Sequence, residues 1–152
     1  MNMPMTEFLV SCEREVARLH LAFSHWYRAE VAPDDDQFTE SIANAFAPDF
    51  VLVSASGSIR DRETVLRAAR NAYGNRRETP FDIATTFCSS QQLDETIAIV
   101  VYKEWQTIAG LLTGRTATAV FSRNDGLPGG VEWLHVHETW LEGHEGEVSR
   151  QW

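Results

Sequence analysis

Two histidines near the end of the sequence are the residues best suited to chemistry. His135 and His137 stand one residue apart in GGVEWLHVHETWLEGHE, residues 129–145, and Glu142 follows them. Residues i and i+2 of a strand lie on one face, about 6.6–6.8 Å apart. Two imidazoles so placed could hold a metal ion, act as acid and base near neutral pH, or form the polar face of a strand.

A metal site is the least supported of these three interpretations. The first half of a cupin motif is matched by Gly129, His135, His137 and Glu142. The motif continues with a glycine seven residues after the glutamate, where this sequence has Ser149, and no second motif follows. The helical pattern of the first half of the sequence also disagrees with an all-β fold. We therefore expect no metal ion and no other cofactor.

Acid–base or ligand-binding work needs further polar groups near the histidines. Tyr102 and Glu104 share one face of a long predicted strand, and Arg115 on the next strand could bind an acidic group with its forked guanidinium. Trp26 and Tyr27 close the first predicted helix. The candidate catalytic residues are His137, His135 and Tyr102. The candidate ligand-binding pocket consists of Trp26, Tyr27, Tyr102, Glu104, Arg115, His135 and His137.

Each candidate also has an ordinary structural explanation. The tyrosine and glutamate could belong to a sheet surface, Trp26 and Tyr27 could pack at a helix end, and Arg115 could be solvated or paired with a glutamate. Strand alternation divides the last strand into two faces. The histidines share one face with Trp133, Thr139 and Leu141 (the set is Trp133, His135, His137, Thr139 and Leu141). The other face carries Leu134, Val136, Glu138 and Trp140. A shift of one residue would exchange the two faces, so the direction of the histidines stays open.

Composition limits the classes of partner. The sequence has 152 residues and a formal net charge of −9, which fits one acidic domain. Its basic clusters, Arg67/Arg70 and Arg76/Arg77, each lie beside a glutamate, so no nucleic acid is expected. No apolar run approaches the roughly 20 residues of a membrane helix, and no signal peptide is evident. Two widely spaced cysteines favour a reduced, cytoplasmic protein.

Helical periodicity dominates the first half of the sequence. Thr6 can cap a long first helix with an apolar stripe. A second, short helix should begin after Asp36, carry Phe46 on its apolar face and end at Pro48. A third helix is predicted for RETVLRAARNAY. Helices therefore precede most of the strands.

Strand patterns dominate the second half. DFVLVSASG predicts a short strand before the third helix, and alternation resumes from Phe81 to Phe87. Three longer strands are predicted over about Thr96–Ile108, Leu112–Arg123 and Val131–Leu141, joined by short loops. Helices gathered before a mainly antiparallel sheet predict an α+β domain. One domain is expected over residues 1–152, with a core of about 6–141 and a polar tail of 142–152.

With these elements the sequence resembles the NTF2-like superfamily, including its SnoaL-like and DUF4440 branches and the association domain of calcium/calmodulin-dependent kinase II. The resemblance rests on element order and on FAPDFVLVSASG, GRTATAVFSRNDG and WLHVHET. It implies a cone, in which a strongly curved sheet encloses the first helix around a pocket. It also implies a homodimer formed through the sheet.

The resemblance leaves several functions open. A small, partly hydrophobic molecule in the pocket is the first expectation. The alternatives are an isomerase, dehydratase or cyclase with a pocket histidine as base, and an oligomerisation module. Isomerases of the superfamily carry a catalytic aspartate shortly before the glycine turn, where this sequence has Ser54. Steroid-isomerase chemistry is therefore not expected.

Overall fold

The structure is a computed structural model that describes residues 5–146. Over these residues the chain forms three α-helices and six strands, the α+β class that the sequence predicts. The elements are α1 (Glu7–Tyr27), α2 (Asp35–Ser41), β1 (Phe46–Val53), β2 (Ile59–Asp61), α3 (Arg62–Asn71), β3 (Phe81–Gln92), β4 (Ile97–Ile108), β5 (Leu111–Arg123) and β6 (Val131–Trp140). None of the helices described is long and apolar enough to cross a membrane.

The first helix is fixed at its start by the predicted cap and buried along one stripe. The hydroxyl of Thr6 accepts a hydrogen bond from the backbone of Leu9 at 3.2 Å, which satisfies one of the free N–H groups of the first turn. The stripe is fully buried and consists of Phe8, Cys12, Val16, Leu19, Phe23 and Trp26. Burial raises the pKa of the Cys12 thiol to about 12, so this cysteine is inert.

The boundaries around α2 differ from the prediction. Asp34, not Asp36, caps the helix by accepting a hydrogen bond from the backbone of Gln37. Phe46 is the first residue of β1 rather than part of a helix, and Pro48 lies inside that strand. Pro48 is tolerated because the pairing of β1 with β6 is interrupted between Phe46 and Val51, so no ladder hydrogen bond is lost there.

The sheet has the order β2-β1-β6-β5-β4-β3. All its pairs are antiparallel except β1 with β6, which is parallel. β3 is longer than predicted because Cys88 forms a bulge between Phe87 and Ser89, which hides the alternation of its second half. Bulges of this kind increase the local twist of a strand.

One face of the sheet packs on α1 and the other lies outside. Along β4, alternate residues from Ala98 to Ile108 are buried, which identifies the inner face. Glu15 of α1 ties the helix to this face by accepting a hydrogen bond from the indole of Trp133 at 2.9 Å. The guanidinium of Arg18 binds the same carboxylate at 2.6 and 2.9 Å.

The chain after β6 turns back onto the end of the sheet. Gly114 donates a backbone hydrogen bond to the carbonyl of His144 at 2.9 Å, and the His144 ring contacts Trp105 edge-on. The first residues of the predicted polar tail thus pack on β5 and β4. Residues 147–152 of that tail lie outside the described residues.

Candidate functional site

A cluster of buried polar side chains lies on the inner face of the sheet, toward one end of β4, β5 and β6. Its members are His20 and Tyr27 of α1, Tyr102, Glu104 and Gln106 of β4, Arg115 of β5 and Glu138 of β6. Each of them is less than a tenth exposed. We call these seven residues the polar cluster. Period-two alternation along β4 brings its three consecutive inward residues into the cluster.

Glu104 is the centre of the polar cluster. Its carboxylate lies 2.8 Å from Nε2 of His20, accepts a hydrogen bond from Gln106 at 2.5 Å and lies 3.8 Å from Nε of Arg115. Burial alone would raise the pKa of Glu104, but the positive charges of Arg115 and His20 lower it below its ordinary range. The carboxylate is therefore held in its charged form.

Hydrogen bonding fixes the protons of His20. Its Nδ1 lies 2.7 Å from the carbonyl oxygen of Val16, which can only accept, so Nδ1 carries a proton. Its Nε2 then shares a second proton with the Glu104 carboxylate. Burial alone would lower the pKa of His20, but Glu104 reverses this and raises it above the ordinary value. The pair is an acid–base couple in a dry environment.

Arg115 has hydrogen-bonding capacity that the described residues do not fill. Its Nη1 donates to Glu138 at 3.3 Å, and its guanidinium lies 4.7 Å from the ring centroid of Trp140. Its Nε and Nη2 are buried without a hydrogen-bond partner, and so are the hydroxyls of Tyr27 and Tyr102. Buried polar atoms are nearly always satisfied, so a water molecule or a ligand atom is expected among these groups.

The cluster reaches the surface at His20. This residue lines a groove of about 340 Å³ between α1 and β3, together with Ser24, His25, Arg28 and Asp82. A molecule in this groove would lie beside the imidazole that pairs with Glu104. The groove therefore connects solvent with the acid–base couple.

The structure brings together four of the seven residues assigned to the pocket from sequence. Tyr27, Tyr102, Glu104 and Arg115 all belong to the polar cluster. Trp26 is buried elsewhere, where its indole donates to the carbonyl of Ala69 at 2.9 Å and packs against Phe38 and Tyr73. Whether the four clustered residues bind a ligand stays a prediction.

His135 and His137 do not point into the cone, and this corrects their assignment to the pocket. Val120 of β5 pairs with His135 and Phe121 pairs with Trp133, so Leu134 is an extra residue that forms a bulge. The extra residue reverses the alternation, and Val136 and Glu138 turn inward instead. His135 is half-buried and His137 is exposed on the outer face.

Sequence reasoning did not assign His20, Gln106 or Glu138 to the pocket. His20 lies one turn after Val16 on the buried stripe of α1, and a titratable residue in an apolar stripe is a signal for a buried polar partner. Glu138 carried no such signal, because the bulge before it places it inside against simple alternation. Among residues 5–146, no group of three or more His, Cys, Asp or Glu side chains could hold a metal ion.

Comparison with known proteins identifies relatives along most of the chain. The family model for the sucrose-6-phosphate phosphohydrolase C-terminal domain matches residues 12–142. The chain is 26% identical to sucrose-phosphatase 1 of Nicotiana tabacum over 144 residues, which are 91% of this chain and 32% of that protein. It therefore spans about a third of the length of the curated relatives it matches.

Solved structures confirm the NTF2-like cone that the sequence motifs suggested. An NTF-2 like protein of unknown function from Pseudomonas aeruginosa superposes with a TM-score of 0.70 at 25% identity, over 86% of this chain and 98% of that chain. The CaMKII hub of S. rosetta superposes with a TM-score of 0.63 at 16% identity, over 91% of this chain and all of that one.

Proposed function

The chain belongs to the family of sucrose-6-phosphate phosphohydrolase C-terminal domains, and we propose that it acts as a small-molecule-binding domain whose site is the polar cluster. One observation carries the proposal. Four buried polar atoms in one place, on Tyr27, Tyr102 and Arg115, have no hydrogen-bond partner among the described residues. A buried group without a partner costs about 1–3 kcal/mol, and a ligand oxygen would remove that cost.

The surroundings of the cluster indicate the class of ligand. The cation of Arg115 already faces the carboxyl groups of Glu104 and Glu138, so no ionic ligand is needed to balance it. The ring of Tyr27 stacks on Phe23 at 5.6 Å between centroids, and its edge approaches Phe81. An uncharged, partly hydrophobic molecule with one hydroxyl or carbonyl oxygen fits this mixture of groups.

Calorimetry with benzyl alcohol and toluene tests the proposal, because the two probes differ chiefly by one hydroxyl. We expect benzyl alcohol to bind more tightly than toluene. Tyr102→Phe and Tyr27→Phe should weaken benzyl alcohol binding about tenfold, as loss of about 1.4 kcal/mol implies. Tyr73→Phe is the matched control, because its hydroxyl donates to the carbonyl of Val31 away from the cluster. Equal binding of both probes, or no effect of either cluster variant, would refute the proposal.

A proton-transfer enzyme is the second candidate, and the groove beside His20 favours it. His135 and His137, the candidates for such a base in the sequence, lie on the outer face. His20 is the histidine that pairs with a buried carboxylate and also borders a groove. When the shared proton lies on Glu104, Nε2 of His20 has a free lone pair and can take a proton from a carbon next to a carbonyl group.

Deuterium exchange at the α-carbons of cyclohexanone, followed by NMR in D₂O, tests this second candidate. Exchange should be faster with the protein than with buffer and should be lost in His20→Gln. His25→Gln is the control, because His25 lines the same groove without contacting Glu104. Exchange that survives in His20→Gln would exclude this base.

We also propose that the chain forms a homodimer through the outer face of the sheet. Half-buried aliphatic residues lie on that face, among them Val51, Ile99, Val101 and Val120. Light scattering after gel filtration should give a dimer, and Val120→Glu should convert it to a monomer. Leu21→Glu on exposed α1 introduces the same charge elsewhere and should leave the dimer intact. A wild-type monomer at high concentration would contradict the proposal.

A further inference from the structure

A cleft lined by three arginines lies on the surface near the end of α1. It has a volume of about 520 Å³, within the range of roughly 300–1,000 Å³ that is typical of small-molecule sites. Its walls consist of Arg28, Glu30, Arg76, Arg77, Thr79, Pro80, Phe81, Asp82 and Thr107. The chain as a whole carries a formal net charge of −9. A cleft lined by three arginines therefore differs in charge from the rest of this acidic protein.

The loop after α3 is held against α1 by backbone hydrogen bonds. Gly74 donates to the carbonyl of Trp26 at 3.1 Å, and Arg76 donates to that of Tyr27 at 2.8 Å. Gly74 has a φ of +70°, and a Cβ there would lie 2.7 Å from Nη2 of Arg77. A glycine at this position therefore leaves room for the Arg77 side chain. These bonds fix the backbone of the loop that carries Arg76 and Arg77 beside the helix end.

The opposite wall is also fixed. Arg28 follows the last residue of α1, and its Nη1 donates to the carbonyl of Phe81 at 3.2 Å while Nη2 donates to Glu30 at 2.9 Å. The guanidinium of Arg76 lies 5.8 Å from the centroid of the buried Phe81 ring. Aromatic contact of this kind orients a guanidinium without neutralising its charge.

The cleft has unbalanced positive charge. Three guanidiniums face the two carboxylates of Glu30 and Asp82, which leaves one net positive charge. Glu30 is paired with Arg28. Within residues 5–146, neither Arg76 nor Arg77 forms an ion pair. These two cations thus have no carboxylate partner among the described residues.

We propose that this cleft binds the phosphate group of a small phosphorylated molecule. Guanidinium forks match the oxygens of phosphate in pairs, and the hydroxyls of Thr79 and Thr107 can donate further hydrogen bonds. Three guanidiniums offer more donors than the two oxygens of a carboxylate can accept. Asp82 can accept hydrogen bonds from hydroxyl groups elsewhere on the ligand. The site shares no residue with the polar cluster.

Calorimetry with glucose 6-phosphate, glucuronate and glucose tests the proposal at low ionic strength. Glucose 6-phosphate should bind, glucuronate should bind at least tenfold more weakly, and glucose should not bind measurably. Arg76→Gln and Arg77→Gln should each weaken binding of glucose 6-phosphate about tenfold or more, since hydrogen bonds to charged groups are worth about 1.5–3 kcal/mol. Added salt should weaken binding in the wild type.

Arg67→Gln is the matched control. It removes the same charge from an exposed arginine of α3 that pairs with Glu63, and it should leave affinity unchanged. Arg77 is exposed, so its variant separates loss of binding from loss of folding. Wild-type affinity in both cleft variants, an equal loss in Arg67→Gln, or equal binding of glucuronate would overturn the assignment to a phosphate group. Absence of binding by glucose 6-phosphate would do the same.

Discussion

The inner face of the sheet buries two different kinds of side chain at its two ends. At one end β4 and β5 place Ala98, Val100 and Phe121 against α1, and at the other the same strands place Glu104 and Arg115 there. The apolar end stabilises the fold by removing hydrocarbon from water. The polar end costs free energy, because each buried ion loses several kcal/mol of hydration. Buried charges that cost stability, on strands whose other inward residues are apolar, are typical of a functional site.

The largest expected effect is at the polar end. Arg115→Leu should lower the free energy of unfolding by about 3–5 kcal/mol at neutral pH, because it leaves buried carboxyl groups without their cation. Chemical denaturation measures the change. The triple variant Arg115→Leu/Glu104→Leu/Glu138→Leu should recover most of this loss. A loss below about 1 kcal/mol in the single variant would mean that the charges are solvated.

A substitution at the apolar end should have a smaller effect of a different kind. Val100→Ala removes buried methyl groups and should cost about 2 kcal/mol by lost transfer energy and a residual cavity. Because Val100 carries no charge, the loss should be the same at every pH at which the protein is folded. A denaturation series over pH compares it with Arg115→Leu. A pH-dependent loss at Val100 would break the comparison between the two ends.

The His20–Glu104 pair should make stability depend on pH. The pKa of His20 is raised on folding, so its stabilisation is complete below the unfolded value of about 6.5 and is lost as pH rises through the folded value. The pKa of Glu104 is lowered, so its stabilisation is complete above about 4.5 and is lost as pH falls. Melting temperature should therefore be highest between these values.

His20→Gln separates this pair from the other titrating groups. It should remove the alkaline decline in melting temperature, whereas His25→Gln should preserve it. The measurement is a set of melting curves for three proteins in matched buffers. An alkaline decline of equal size in His20→Gln would assign the pH dependence to another group.

The smallest effect is expected on the outer face. In the monomeric Val120→Glu background, His137→Ala should change the free energy of unfolding by no more than about 0.5 kcal/mol, as for other exposed positions, and should leave benzyl alcohol binding unchanged. Calorimetry and denaturation of the one variant check both. A tenfold loss of binding would place this histidine at a site, against its position on the outer face.

The parts of the molecule that the sequence predicted are those that local patterns determine. The stripe of α1, the cap at Thr6 and the alternation of β4 each depend on residues within a few positions. That alternation also placed Tyr102 and Glu104 on one face. The same reasoning failed for α2, where three consecutive aspartates, residues 34–36, could each serve as the cap.

The rest of the site depends on pairings that no local pattern contains. His20 and Glu104 are separated by 84 positions, and only the packing of α1 on the sheet brings them together. The bulge in β6 likewise depends on pairing with β5. Alternation alone therefore placed His135 and His137 on the same face as Trp133, whereas they lie on the opposite face. Hydrophobic pattern gives no information on where such an extra residue falls.

The bulge at Leu134 changes which positions of β6 face the helix, because it adds one residue that has no partner on β5. Upstream of it, odd-numbered positions such as Trp133 face the helix, and downstream of it, even-numbered positions such as Glu138 do. Pairing Leu134 into the ladder, without a bulge, would keep a single phase and bring His135 and His137 inside in place of Glu138, whereas deleting Leu134 would leave them outside. One unpaired residue thus decides whether this end of the cone is built around a carboxylate or around two imidazoles.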